Sequence, residues 1–273
     1  MKFKIVCDSS CDLNKDYIID KDVGFDIVPL SINIDSENFI DNELLNINDM
    51  LNKVKKSSSP GKSACPAPGL FKEAYLGADY VFVVTISSKL SGSFNSAYLG
   101  SVETSNMVHV IDSKGTSGML VLIVDKLYDL IKQGLSFEEI KAKIDDYQKT
   151  INLFFVLDKF DNLVKNGRMS KLAAIVATTL FIKPLCIADD GQISIYEKHR
   201  TMKSSLIKLV NNIKDKCNDY SGKCIISYCL NEENANFVKR LILEKYNFKE
   251  VVVIPMKGLC SFYALENGII VSF

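Results

Sequence analysis

Seven consecutive residues, Tyr80-Val-Phe-Val-Val-Thr-Ile86, are nearly all aromatic or β-branched, the mark of a buried central strand. Helix-like and strand-like segments alternate around this run. Residues 4–7 read as a first buried strand, and 25–34 as β-like with an edge or bend at Pro29. Residues 47–56 and 70–76 read as helices on either side of a Ser/Pro-rich loop at 57–68. Residues 91–102 follow as a helix, 108–111 as a strand, and 117–132 and 137–149 as helices. This order predicts an α/β fold whose N-terminal part is a doubly wound parallel sheet.

The second half has a different pattern. Residues 153–157 read as a strand, and 184–188 and 192–197 flank Asp189-Asp190-Gly191, a hairpin signal. A helix at 202–216, a strand at 224–229, a helix at 233–244 and strands at 251–254 and 268–272 complete a mixed sheet with helices. Two α/β domains are expected, 1–150 and 151–273. Residues 172–181 are apolar on nearly every face of a helix, which suits either a buried core helix or the wall of an apolar tunnel.

Composition removes several classes of function. Thirty-three basic residues balance thirty-three acidic ones, with no basic stripe, which disfavours nucleic-acid binding. No apolar run is long enough for a signal peptide or a bilayer span, so a cytoplasmic protein is expected. The eight cysteines are scattered and none forms C-x-x-C; with only His109 and His199 in the chain, reduced thiols are favoured over a metal site. Arginine is scarce: Arg168, Arg200 and Arg240 stand among thirty lysines, which makes the first two candidates for planar recognition of an anion.

Catalytic motifs fail on inspection. Gly61-Lys62-Ser63 resembles the end of a phosphate loop, but Lys56 stands where the leading glycine belongs. There is no G-x-G-x-x-G and no G-x-S-x-G elbow. What recurs is hydroxyls after strands: Ser9 and Ser10 after the first, Ser87, Ser88, Ser91 and Ser93 after the Tyr80 run, and Ser113 after the next. In an open α/β sheet ligands bind at the carboxyl ends of strands. Such serines, with Gly92 at a helix start, suit a small anion; Ser9 and Ser91 equally suit simple helix capping.

Five blocks in order make the whole chain resemble the DegV family of bacterial fatty acid-binding proteins. They are Asp8-Ser9-Ser10-Cys11-Asp12-Leu13, Ser63-Ala64-Cys65-Pro66-Ala67-Pro68, and Ile86-Ser87-Ser88-Lys89-Leu90-Ser91-Gly92-Ser93. Asn166-Gly167-Arg168-Met169-Ser170 follows, and then Ile182-Lys183-Pro184 with Arg200-Thr201. The resemblance implies a two-domain protein that binds one long-chain fatty acid between its domains and needs no other cofactor. A separate ATP-dependent kinase would phosphorylate the presented carboxylate. It implies carboxylate binding by Ser63 and by Ser91, Gly92 and Ser93 at the helix start; Tyr263, which departs from the family pattern, either donates its hydroxyl to the same carboxylate or is a buried core residue. Arg168 and Arg200 become surface residues for kinase docking or phosphate transfer.

Two departures accompany it. Ser63-Ala64-Cys65 stands where the family has Thr-Ser-Gln. Tyr263 falls at the position of a family histidine, in a segment that lacks the Gly-Pro-Gly turn. They keep open a lipid carrier or sensor not coupled to a kinase. An enzyme with Ser91 or Cys65 as nucleophile is the third reading, disfavoured because no base stands at a recognisable spacing.

Overall fold

The computed structural model of the protein describes residues 1–169 and 182–273. Four parallel strands form the first sheet: β1 (Phe3–Asp8), β2 (Val23–Val28), β6 (Tyr80–Thr85) and β7 (Met107–Asp112), in the order β2-β1-β6-β7. The strand order reverses direction between β1 and β6, so the carboxyl ends of these two strands open the crevice in which such sheets hold ligands. The Tyr80 run is a central strand, as its composition predicts, and Val81 to Val84 are fully buried.

Helices cover both faces of this sheet. α2 (Pro68–Ala74) and α3 (Ser93–Val102) lie on one side, where Phe71, Tyr75 and Ala97 pack on Val6, Val81 and Val83. α4 (Gly118–Lys132) and α5 (Phe137–Gln148) lie on the other. Elsewhere in this half, α1 (Ile47–Lys56) is capped by Asn46, whose side chain accepts from Asp49 N at 3.2 Å.

The second sheet has six strands in the order β10-β9-β8-β13-β11-β12. They are β8 (Leu153–Val156), β9 (Leu185–Asp189), β10 (Gln192–Glu197), β11 (Lys223–Tyr228), β12 (Glu250–Pro255) and β13 (Ile269–Ser272). Only β11 and β12 run parallel; the other pairings are antiparallel. The predicted hairpin joins β9 to β10, and its turn residues Asp190 and Gly191 both have positive φ, 44° and 82°. α7 (Met202–Asn212) and α8 (Glu232–Lys245) cover the outer face, while α6 (Asp161–Lys165) and α9 (Gly258–Ala264) lie at the junction with the first half.

α4 is the shared layer. It packs on β1 and β6 of the first sheet and on β11 and β13 of the second. One apolar core therefore runs from Ile5 and Phe82 through Leu120 and Ile123 to Phe155, Ile225 and Ile270. The first half of α4, Gly118–Val124, is apolar and buried on every face, as such a position requires.

Three features depart from the sequence reading. Residues 25–34 are not one β-segment: at Pro29 the chain leaves β2 and enters β3 (Ser31–Ile34) of a separate sheet. Proline has no N–H to give to a ladder, which suits it to such a break. That third sheet, β4-β3-β5, was not anticipated; β4 (Glu37–Ile40) and β5 (Lys62–Ala64) are short and mostly exposed, without the alternation that marks a strand. α6 and α9 were also missed, being too short for a helical period to show. The apolar segment at 172–181 lies outside the described residues.

Gly118 opens α4 against the second sheet. A Cβ there would sit 2.8 Å from Ile225 Cβ of β11 and 2.9 Å from Ser272 Oγ of β13. Gly118→Val is expected to destabilise the protein by about 1–3 kcal/mol through overpacking, lowering Tm by several degrees in a thermal melt. An unchanged Tm would mean that α4 does not start tightly packed on the second sheet.

Candidate functional site

The site begins with how the two halves are joined. After β1 the chain makes one 3-10 turn at Ser9–Cys11, capped by Asp8. The fully buried Asp8 carboxylate accepts from Ser10 N at 3.1 Å and from Ile86 N at 2.9 Å, tying the ends of β1 and β6 together. Asp12 accepts from Lys257 N at 2.7 Å and from the Ser117 hydroxyl, which bonds in turn to Ser227 Oγ at 2.7 Å. Asp41 accepts from two consecutive amides, Gly258 N at 2.7 Å and Leu259 N at 3.0 Å. Asp12 and Asp41 thus fix the first turn of α9 against the N-terminal half.

Burial disfavours charge on these carboxylates and pushes Asp8 up to about 6 and Asp12 up to about 7, against their hydrogen bonds. Asp41 is raised for the same reason.

Between the sheets, beside the start of α4, lies a cavity of about 80 Å³ that opens to solvent. The wall is mostly aliphatic and aromatic: Leu153 and Phe155 of β8, Ile193 of β10, Ile270 of β13, and Ile86 and Leu30 beyond β6 and β2. The polar lining comes from Ser63, Ser91, Thr116, Arg168, Gln192 and Tyr263.

Ser63 and Tyr263, two hundred positions apart in sequence, are hydrogen-bonded through their hydroxyls at 2.7 Å. β5 brings Ser63 there through its pairing with β3, where Ser63 faces the buried Ile32. α9 brings Tyr263, along with Leu259, Cys260 and Ala264 of the same wall. Burial pushes the Tyr263 phenol above its usual value, opposed by the bond to Ser63 and the charge of Arg168, so it keeps its proton at neutral pH. The Arg168 guanidinium lies over the Tyr263 ring at 5.9 Å and donates to Leu90 O at 3.1 Å and to Asn166 O.

The serine cluster divides. Ser91 lines the cavity, and its hydroxyl accepts from Ser93 N at 3.2 Å. Ser93 is fully buried, 3.1 Å from Ser91 Oγ, and its hydroxyl faces Asp8. Gly92 precedes α3 and is packed by Cys65, whose Sγ is 3.1 Å from where a Cβ would stand. Neither Gly92 nor Ser93 is among the described residues of the cavity wall. Ser9 caps no α-helix; its hydroxyl accepts from Leu30 N at 3.0 Å.

Arg168 corrects the expectation of a surface residue: it is half-buried on the cavity wall, because both its Nε and Nη1 are drawn to backbone carbonyls. Arg200 is exposed, after β10 and before α7. Thr116 and Gln192 were missed by the sequence reading. Thr116 extends the pattern of hydroxyls after strands, three residues beyond Ser113, and Gln192 follows the hairpin turn.

The histidines stand elsewhere. His109 bonds to Asp145 and His199 to Glu197. Among the described residues no group of three or more His, Cys, Asp or Glu side chains is placed to hold a metal, and no helix is long and apolar enough to cross a membrane.

The raised carboxylates have a consequence for stability. The native state keeps the Asp8 and Asp12 protons at a pH where the unfolded chain, with ordinary carboxylates, has lost them. Their contribution is full below about pH 4 and is lost as pH rises through about 6 to 7. Urea midpoints are therefore expected to fall from pH 5 to pH 7.5 more steeply in the native sequence than in Asp12→Asn. Parallel pH profiles would refute the raised value at Asp12.

Comparison with known proteins gives a consistent picture. The sequence profile of the DegV family, described as an uncharacterised protein family, matches residues 2–272. A DegV domain-containing protein of Streptococcus gordonii is 41% identical over 280 residues, covering 100% of this chain and 99% of the relative. Among solved structures, a DegV family protein of Ruminococcus gnavus with vaccenic acid superposes with a TM-score of 0.93 at 32% identity, covering 100% of this chain and 99% of that one. The Fatty Acid Kinase B3 protein of Streptococcus pneumoniae, loaded with linoleic acid, gives 0.93 at 36% identity, again over 100% and 99%. A DegV family protein of Eubacterium eligens loaded with heptadecanoic acid gives 0.91 at 35% identity, over 99% and 98%.

Proposed function

The chain belongs to the DegV family, and from that membership and its cavity we propose that it binds one long-chain fatty acid and presents the carboxylate to a separate ATP-dependent kinase, which forms the acyl-phosphate. The observation that carries this reading is the two-sided lining of the cavity: an aliphatic wall from both sheets, with Ser63, Tyr263, Ser91 and Arg168 on its polar part. An acyl chain gains roughly 0.8 kcal/mol, gross, for each CH₂ moved out of water, so the tail supplies most of the affinity. A carboxylate leaving water needs hydrogen bonds. The Ser63–Tyr263 pair, whose mutual bond leaves one hydroxyl proton free to donate, and the guanidinium beside it suit that need.

In this reading the carboxylate takes up the hydroxyls of Ser63, Tyr263 and Ser91. Gly92 and Ser93 support it from behind by shaping the turn on which Ser91 stands. On this proposal the chain itself performs no bond-making step, and the partner binds the ATP. The kinase element draws support from the Streptococcus pneumoniae neighbour, a Fatty Acid Kinase B3 protein, and the exposed Arg200 is the residue proposed for docking.

A second reading, a fatty acid carrier or sensor without a kinase, is favoured by one observation. Tyr263 occupies the place of the family histidine and directs its hydroxyl at Ser63 rather than leaving a titrating ring there. The nucleophile reading loses ground, since both histidines are hydrogen-bonded elsewhere, to Asp145 and Glu197, and neither is among the described residues lining the cavity beside Ser91.

Native mass spectrometry of freshly purified protein, followed by organic extraction, is expected to find one fatty acid per chain. Ser63→Ala combined with Ser91→Ala is expected to weaken oleate binding by roughly ten- to a hundredfold, the scale of lost hydrogen bonds to a charged group. Full occupancy and affinity in the double variant would remove the carboxylate from these residues. Incubation of the loaded protein with ATP and a cognate kinase separates the two readings: acyl-phosphate supports presentation, and its absence with a kinase active on another family member supports the carrier.

A further inference from the structure

We propose that Asp41 is a positioning residue for the head-group site, setting the Ser63–Tyr263 hydrogen bond through α9 although it touches neither side chain. This rests on the reading that the ligand carboxylate binds at that pair. Asp41 follows β4, in the small sheet that also holds Ser63 on β5. Its side chain is almost wholly buried, and both oxygens are committed to the successive amides of Gly258 and Leu259.

The contact fixes the origin of α9 tightly. A Cβ on Gly258 would lie 2.5 Å from Asp41 Oδ1 and 2.4 Å from Leu45 Cδ2, so the backbone approaches the carboxylate as closely as glycine permits. Asp12 holds the preceding amide, Lys257 N, at 2.7 Å. From this anchored end the helix carries Leu259, Cys260, Tyr263 and Ala264 into the cavity wall. Its other end is braced by Asn162 Nδ2 on Phe262 O at 2.6 Å.

Asp41 therefore ties the sheet that places Ser63 to the helix that places Tyr263, beside the direct packing of that helix on β3. Tyr263 lies five residues past the clamped Gly258 amide, so a shift of the first turn is carried along a short rigid helix to its hydroxyl. A hydrogen bond of 2.7 Å tolerates little displacement before it weakens. A residue that served only stability would lack this directed effect.

The test is a double-mutant cycle on oleate affinity, run below the melting temperature of every variant, with Asp41→Asn and Tyr263→Phe. Asp41→Asn keeps one acceptor and loses the charge-assisted pair. It is expected to weaken oleate roughly tenfold alone, but less than about twofold when Tyr263→Phe is already present, the non-additivity of residues acting through one contact. If Asp41→Asn is too unstable to purify, Asp41→Glu replaces it, keeping the charge while displacing both oxygens. Equal losses in both backgrounds, or a lowered Tm with unchanged affinity, would overturn the proposal.

A second arm needs no ligand. With 3-fluorotyrosine placed at position 263, Asp41→Asn is expected to shift the ¹⁹F resonance of the empty protein, and an unmoved resonance counts against positioning. Failure of the wild-type protein to bind any fatty acid would sink the functional reading instead, leaving the resonance to decide the role of Asp41.

Discussion

Carboxylates buried at the ends of strands and joined to backbone amides hold this molecule together at its working end. Asp8 links β1 to β6, Asp12 links the first turn after β1 to Lys257, and Asp41 links the small sheet to α9. Each takes an acidic group out of water, which is costly, and recovers stability through hydrogen bonds that only one arrangement of the chain supplies. Apolar contacts hold the halves together but specify their relative position loosely, because hydrophobic association has no direction. The amide contacts provide the direction.

That precision matters because the cavity is a local exception to close packing. Protein interiors fill space as densely as organic crystals, and a dry apolar void forfeits contacts around its whole lining. The core cluster runs from one sheet to the other through α4, and the cavity lies within it near Phe155 and Ile270. An acyl chain filling it would recover the missing contacts and stabilise the native state by mass action. Binding and folding stability are then two readings of one volume.

The sequence disclosed the frame better than the site. The Tyr80 run, the alternation around it and the Asp190-Gly191 turn announce their elements because burial and turn chemistry act locally on residue type. The resemblance led to Ser63, Ser91 and Tyr263, and all three line the same cavity. What stayed hidden was set by neighbours distant in sequence. β5 becomes a strand only because β3 pairs with it, and α9 holds its place through Asp41 and Asp12. The resemblance implied a surface role for Arg168, and its half-buried place on the cavity wall, where it donates to Leu90 O, is again set by a neighbour distant in sequence.

The chemistry of the polar part follows from what does and does not titrate there. A phenol raised further by burial stays a neutral donor over the whole physiological range, as do the hydroxyls of Ser63 and Ser91. A guanidinium stays charged over the same range. Donors of fixed protonation would leave the charge state of a bound acid to the acid itself and would favour its anion. The groups that do titrate near neutrality, Asp8 and Asp12, lie behind the site in the frame. Acidification would therefore act on the stability of the frame, and on the carboxylate of a bound acid, before it reached the Tyr263 phenol.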